Sequence, residues 1–136
     1  MAFPQLPPAI GASVALQSQN TAASTNGLFG ATEYDRGGLV DAANNRFVAV
    51  VRGLYQVTAW QGGVFANTGI RFAINAAAVT VAVNTAGADP AFPTFGCGVS
   101  ACVLLNPADV VIFPLLFAAA AASGAGRASI QLTERF

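Results

Sequence analysis

Between residues 45 and 59, NRFVAVVRGLYQVTA, apolar and small or polar side chains alternate with a period of two. Successive side chains of a strand point to opposite faces, so Phe47, Ala49 and Val51 share one face and Val48 and Val50 the other. After a break at Arg52-Gly53, Leu54, Gln56 and Thr58 oppose Tyr55, Val57 and Ala59. The pattern predicts a β-hairpin. Its first strand is apolar on both faces, which leaves one face for a core and the other for burial against a second chain. Phe47 and Tyr55 are structural residues in this reading.

The same period recurs along the chain. Val14 and Leu16 alternate with small residues in a half-buried first strand, ASVALQ. Residues 28–41 give short strand pieces punctuated by glycines, and Ala42-Ala43-Asn44-Asn45 forms a turn. Ile70, Phe72 and Ile74 alternate, as do Val79, Val81 and Val83, with a turn near Asn75-Ala76. Strands are expected over residues 99–105 and 110–117, separated by the turn Asn106-Pro107-Ala108-Asp109. The alanine-rich residues 118–126 read as a small-residue loop, and ASIQLTERF as a closing strand with Ile130 and Leu132 on its apolar side. About eight to ten short strands, with no amphipathic helix and no internal repeat, point to an all-β, single-domain antiparallel sandwich.

Composition narrows the partners. The 136 residues suit one domain, divided into a Pro-rich arm over residues 1–11 and a sandwich over 12–136. Six arginines balance six acids, with no lysine or histidine, so no basic field is offered to nucleic acid or to an anionic membrane. Only 9% of residues are charged against 54% hydrophobic, which favours burial between chains and predicts an obligate oligomer. The start, MAFPQLPPAIGASVAL, lacks a basic region followed by an apolar one, so no secretory signal is expected. The apolar run over residues 110–122 is shorter than the roughly 20 residues a spanning helix needs, and no membrane insertion is expected. In the arm, Phe3, Pro4, Leu6, Pro7 and Pro8 favour an extended segment that either frays or docks on a neighbour.

Cys97 and Cys102 sit five positions apart. On a continuous strand they would stand about 17 Å apart, beyond the reach of a disulfide, whereas a tight turn at Gly98 would let them meet. Free buried thiols are the simpler expectation.

Three segments carry a family likeness: YDRGG at residues 34–38, NRFVAVVRGLYQVTA with the spacing of Phe47, Gly53 and Tyr55, and VLLNPADVVIF at residues 103–113. Together with the closing ASIQLTERF, they resemble the C1q/TNF-like jelly-roll superfamily over most of the chain from about Ala12. Ala108 stands where that family places a glycine before the turn aspartate, and Val57 and Ala59 where aromatics are common. The likeness is therefore to the superfamily shape, as a bare head without a Gly-X-Y stalk. It implies a homotrimer packed about a three-fold axis through an apolar sheet face. Core and trimer positions are then Phe47, Tyr55, Val57, Phe72, Phe113 and Leu132.

Catalytic chemistry finds little support. Without histidine or lysine, Ser-His-Asp, Cys-His and Ser-Lys arrangements and His-based zinc sites are ruled out. Glu33, Asp35 and Asp41 are the carboxylates that could approach calcium, but their spacing is unlike a dedicated loop, so neither metal nor cofactor is expected. No catalytic residue is assigned, and the chain is read as a non-enzyme. Arg52 and Arg71 are either edge charges or partners for Asp35, Asp41 or Glu134 of a neighbouring subunit. Trp60 and Gln61, with Phe65 and Asn67, would serve a glycan or receptor; the alternative puts Trp60 at the sandwich end or in a subunit interface. The combined expectation is a structural trimer on a larger assembly, a viral or phage capsid decoration (cement) or fibre-head protein at the virion surface. The alternative is a trimeric glycan- or receptor-binding head on a bacterial or phage surface.

Overall fold

A computed structural model describes residues 9–16, 25–61, 68–75, 77–78, 84–86, 97–117 and 126–136. The described residues form strands and turns with one short 3-10 helix, Ala42–Asn44. The strands are β1 (Gly11–Leu16), β2 (Thr25–Asn26), β3 (Phe29–Arg36), β4 (Val40–Asp41), β5 (Arg46–Val48), β6 (Gly53–Gln61) and β7 (Thr68–Ile70). They continue as β8 (Ala73–Ile74), β9 (Ala77–Ala78), β10 (Asn84–Ala86), β11 (Cys97–Leu105), β12 (Val110–Ile112), β13 (Pro114–Phe117) and β14 (Gly126–Arg135). No helix among them is long and apolar enough to cross a membrane.

The larger sheet has the order β11-β6-β14-β1-β3, all antiparallel. Opposite it lie two smaller ladders, β4-β5-β12-β8-β9 and β10-β7-β13-β2. These are two halves of one kinked layer. Phe113 separates β12 from β13, and Arg71 and Phe72 separate β7 from β8, while Gly27 N donates to Phe113 O (2.7 Å) and Arg71 N to Pro114 O (3.2 Å) across the breaks. Such interruptions split longer strands into pieces, which is why fourteen segments stand where eight to ten were expected.

Residues 45–59 do not form a hairpin. β5 belongs to the smaller layer and β6 to the larger sheet, so the chain crosses the sandwich between them. The crossing is tied on both sides: Ala49 N donates to Asp109 O and Ala108 N to Ala49 O, while the buried Tyr55 hydroxyl donates to Val51 O at 2.7 Å. Phe136 N reaches Arg52 O. The alternation sets which side of each strand is buried and is indifferent to which sheet the strand joins. Both arrangements place Phe47 and Tyr55 in the same core.

That core lies between the layers. Phe29 on β3 meets Phe47 on β5 at 5.0 Å and Phe113 at 6.4 Å between ring centroids, and Phe47 meets Phe113 edge-on at 5.8 Å. Pairs of this geometry add about 0.5–1.5 kcal/mol beyond the area they bury. Val14, Val57, Ile130 and Leu105 from the larger sheet and Ile70, Phe72 and Val111 from the other layer complete it.

Backbone positions explain three sequence features. Gly53 opens β6 where a Cβ would collide with the backbone carbonyl of Glu134 on β14, so only glycine lets the strands approach. Asn45 and Asn75 take left-handed conformations at turns, φ 52° and 53°. Ala108 does the same at φ 72° without a polar side chain to ease it, at the position where the family likeness has glycine.

Candidate functional site

Alternation along β6 and β11 divides their side chains between the core and an outer surface. Tyr55, Val57 and Ala59 point inward with Val99 and Leu105. Leu54, Gln56, Thr58 and Trp60 point outward, paired in register with Leu104, Cys102, Ser100 and Gly98. None of these eight outward residues is charged. Trp60 and Leu104 are each 46% exposed, and Leu104 lies directly opposite Leu54. Ser100 Oγ holds the middle of this surface, accepting from Gln56 Nε2 at 2.7 Å and sharing a hydrogen bond with Thr58 Oγ1 at 3.1 Å.

The opposite end of the sheet, β1 and β3, is charged. Ser13, only 5% exposed, donates to Glu33 Oε1 at 2.9 Å, and Arg127 Nε on β14 reaches the same oxygen at 2.6 Å. Asp35 accepts the backbone N–H groups of Leu39 and Val40 at 2.8 and 3.1 Å and so closes the turn at Gly37-Gly38, where both glycines have positive φ. Asp41 accepts from Arg46 Nε at 2.7 Å and from Asn44 at 3.0 Å. The bond from Asn44, then that from Arg46, holds the Asp41 carboxyl below its ordinary range. Glu33, Asp35 and Asp41 thus each have separate partners. No group of three or more metal-ligating side chains occurs among the described residues.

The candidate residues are dispersed. Phe47, Tyr55, Val57, Phe72 and Phe113 are fully buried between the layers, and Leu132 packs half-buried against them. Trp60 lies on the outer face of β6 and Gln61 ends that strand, whereas Phe65, Asn67 and the arm residues Phe3, Pro4, Leu6, Pro7 and Pro8 fall outside the described residues. Val79, Val81 and Val83 fall outside them as well. Cys97 and Cys102 occupy one continuous strand, which separates them beyond bridging distance; Cys102 is a free thiol, and it is exposed rather than buried because its position faces outward with Gln56. Arg52 is exposed, and the Arg71 Nε is buried without a hydrogen-bond partner among the described residues.

Sequence reasoning missed the hollow that Tyr34, Arg36 and Gln131 make with Gly11. Tyr34 and Arg36 were visible in YDRGG, but Gly11 is brought to Arg36 by β1–β3 pairing and Gln131 to Gly11 by pairing across more than a hundred residues. No local signal announces that.

No protein-family model matches the chain, and comparison with curated proteins returns no match. Solved structures do match. The globular domain of zebrafish complement 1qA protein superposes with a TM-score of 0.72 at 13% identity, over 93% of this chain and 99% of that one. Murine APRIL gives 0.65 at 15% identity, over 90% and 99%. The PRD1 vertex protein P5 gives 0.67 at 20% identity, over 90% and 95%. The fold is a C1q/TNF-like jelly roll.

Proposed function

We propose that the chain is a non-enzymatic structural module that assembles as a homotrimer on a larger particle, as a viral or phage capsid decoration (cement) or fibre-head protein at the virion surface. The observation that carries the reading is the uncharged outer face of β6 and β11, with Trp60 and Leu104 open to solvent. A surface of this kind suits burial against copies of itself. The low share of charged residues points the same way, and the fold is shared with a protein named as a vertex protein. The Pro-rich arm would dock on the particle or on a neighbouring subunit.

Sedimentation of the purified chain, followed by co-sedimentation with capsid shells, tests both parts. The expected result is a species of three chains that pellets with shells. A stable monomer with no affinity for any particle sinks the reading.

The exposed Trp60 favours one second reading, a glycan- or receptor-binding head in which three weak sites act together. Glycan-array signal lost in Trp60→Ala with assembly intact would select it. Assembly lost in that variant would instead place Trp60 in the interface.

A further inference from the structure

The outer face of the larger sheet contains a hollow at its β3 end, away from the uncharged surface. In register, Gly11 on β1 lies between Arg36 on β3 and Gln131 on β14, and Tyr34 stands beside it opposite Ser13. Gly11 forms the floor. A Cβ on it would stand 2.5 Å from Gln131 Oε1 and 2.8 Å from Gln131 Cδ, so glycine is what lets the Gln131 amide lie over β1 at the edge of the hollow. The result is a cavity of about 240 Å³ lined by Ala9, Gly11, Tyr34, Arg36 and Gln131. Drug-sized sites run from about 300 to 1,000 Å³, so this one has room for a single ring.

Its chemistry is asymmetric. Arg36 is exposed, and its acidic neighbours are already engaged: Glu33 holds Ser13 and Arg127, and Asp35 holds the backbone of Leu39 and Val40. The ion pairs among the described residues are Arg46 with Asp41 and Arg127 with Glu33, leaving the Arg36 guanidinium without a carboxylate. It lies 5.8 Å over the Tyr34 ring, a contact that orients it at the cavity wall. Gln131 donates its Nε2 to Ile10 O at 3.3 Å, which fixes the amide and leaves Oε1 able to accept from a ligand. Tyr34, 42% exposed, contributes ring surface and a hydroxyl.

We propose that this hollow binds an acidic saccharide residue, with its carboxylate on Arg36, a ring hydroxyl donating to Gln131 Oε1, and the sugar ring against Tyr34. A guanidinium fork matches a carboxylate bidentately, and an aromatic edge beside an amide acceptor matches a hydroxyl-bearing ring better than a bare anion. The hollow and the uncharged surface lie toward opposite edges of the sheet, β3 and β11.

The test is an NMR titration of the full chain with sodium glucuronate, its neutral methyl ester, and acetate. The expected result is saturable shifts at Gly11, Tyr34, Arg36 and Gln131 with glucuronate, and weaker binding of the other two probes. Arg36→Gln should weaken glucuronate binding roughly ten- to hundredfold, the range for one lost charge-assisted interaction. Gly11→Ala should weaken binding, because its Cβ would displace the Gln131 amide; if that variant does not fold, Arg36→Gln decides. No saturable shift up to about 10 mM glucuronate, a range that reaches millimolar affinities, overturns the proposal. Equal binding of the methyl ester also overturns it by removing the carboxylate, and equal binding of acetate by removing the sugar.

Discussion

At the β11–β6 end of the larger sheet, the outward residues are Leu54, Gln56, Thr58, Trp60, Ser100, Cys102 and Leu104; at the β1–β3 end they include Ser13, Glu33, Tyr34 and Arg36. The two ends share a backbone ladder and rest on the same core, yet one is uncharged and the other holds an ion pair and an arginine, Arg36, with no carboxylate partner among the described residues. A continuous sheet therefore need not present one kind of surface. The first end is suited to repeated contact with identical chains, since it presents no charge to strand on burial. The second presents charged and hydrogen-bonding groups, which suit small polar partners.

The largest expected effect comes from giving the first end the character of the second. Leu104→Arg should convert the proposed trimer to monomers, seen as a roughly threefold fall in sedimentation mass, because an unpaired buried charge costs several kcal/mol per subunit. Tyr34→Arg at the other end should leave the mass unchanged. If both variants or neither dissociate, the contrast between the ends is wrong.

Next in size, Glu33→Ala should lower stability by about 1 kcal/mol in chemical denaturation, chiefly because the nearly buried Ser13 hydroxyl loses its acceptor. Ala108→Gly, in the turn at neither end, should raise stability by a similar amount, about 1 kcal/mol, by relieving an alanine at φ 72°. Arg127→Ala should cost less than about 0.5 kcal/mol, since its ion pair with Glu33 is solvent-exposed. A cost as large as that of Glu33→Ala would show that the ion pair, rather than Ser13, holds that end together.

The smallest effect is a pH dependence away from both surfaces. The Asp41 carboxyl is lowered in the fold by Asn44 and Arg46, so its contribution is present above the unfolded value of about 3.8 and is lost as pH falls through the lower folded value. Melting temperatures followed from pH 5 downward should fall slightly less steeply in Asp41→Asn than in the parent chain. Identical slopes would remove Asp41 from the account.

The fold was legible to the extent that it depends on alternation. Val14, Phe47, Tyr55, Val57 and Ile130 are buried because each sits on the apolar side of a period-two run, and the turn residues Asn45, Asn75 and Asp109 stand where local backbone chemistry calls for them. The hairpin expectation failed for a definite reason. Burial parity is the same whether the chain turns back within one sheet or crosses to the facing one, so the run at residues 45–59 could not distinguish the two. Cys102 was misplaced for a related reason: as a small hydrophobe it is usually buried, but its parity with Gln56 and Leu104 puts it outside.

What the chain determined by itself is that its described segments are mainly strands, the inward face of several of them, and the absence of histidine- and lysine-based chemistry, because these depend on composition and on spacing of a few residues. Only the tertiary structure decided which strands neighbour one another. That decision placed Gly53 against Glu134, separated β5 from β6, and set Gly11 between Arg36 and Gln131. Pairing across long stretches of chain is a property of the closed sandwich, in which a strand's partner is selected by the packing of the whole core and leaves no mark in the residues next to it.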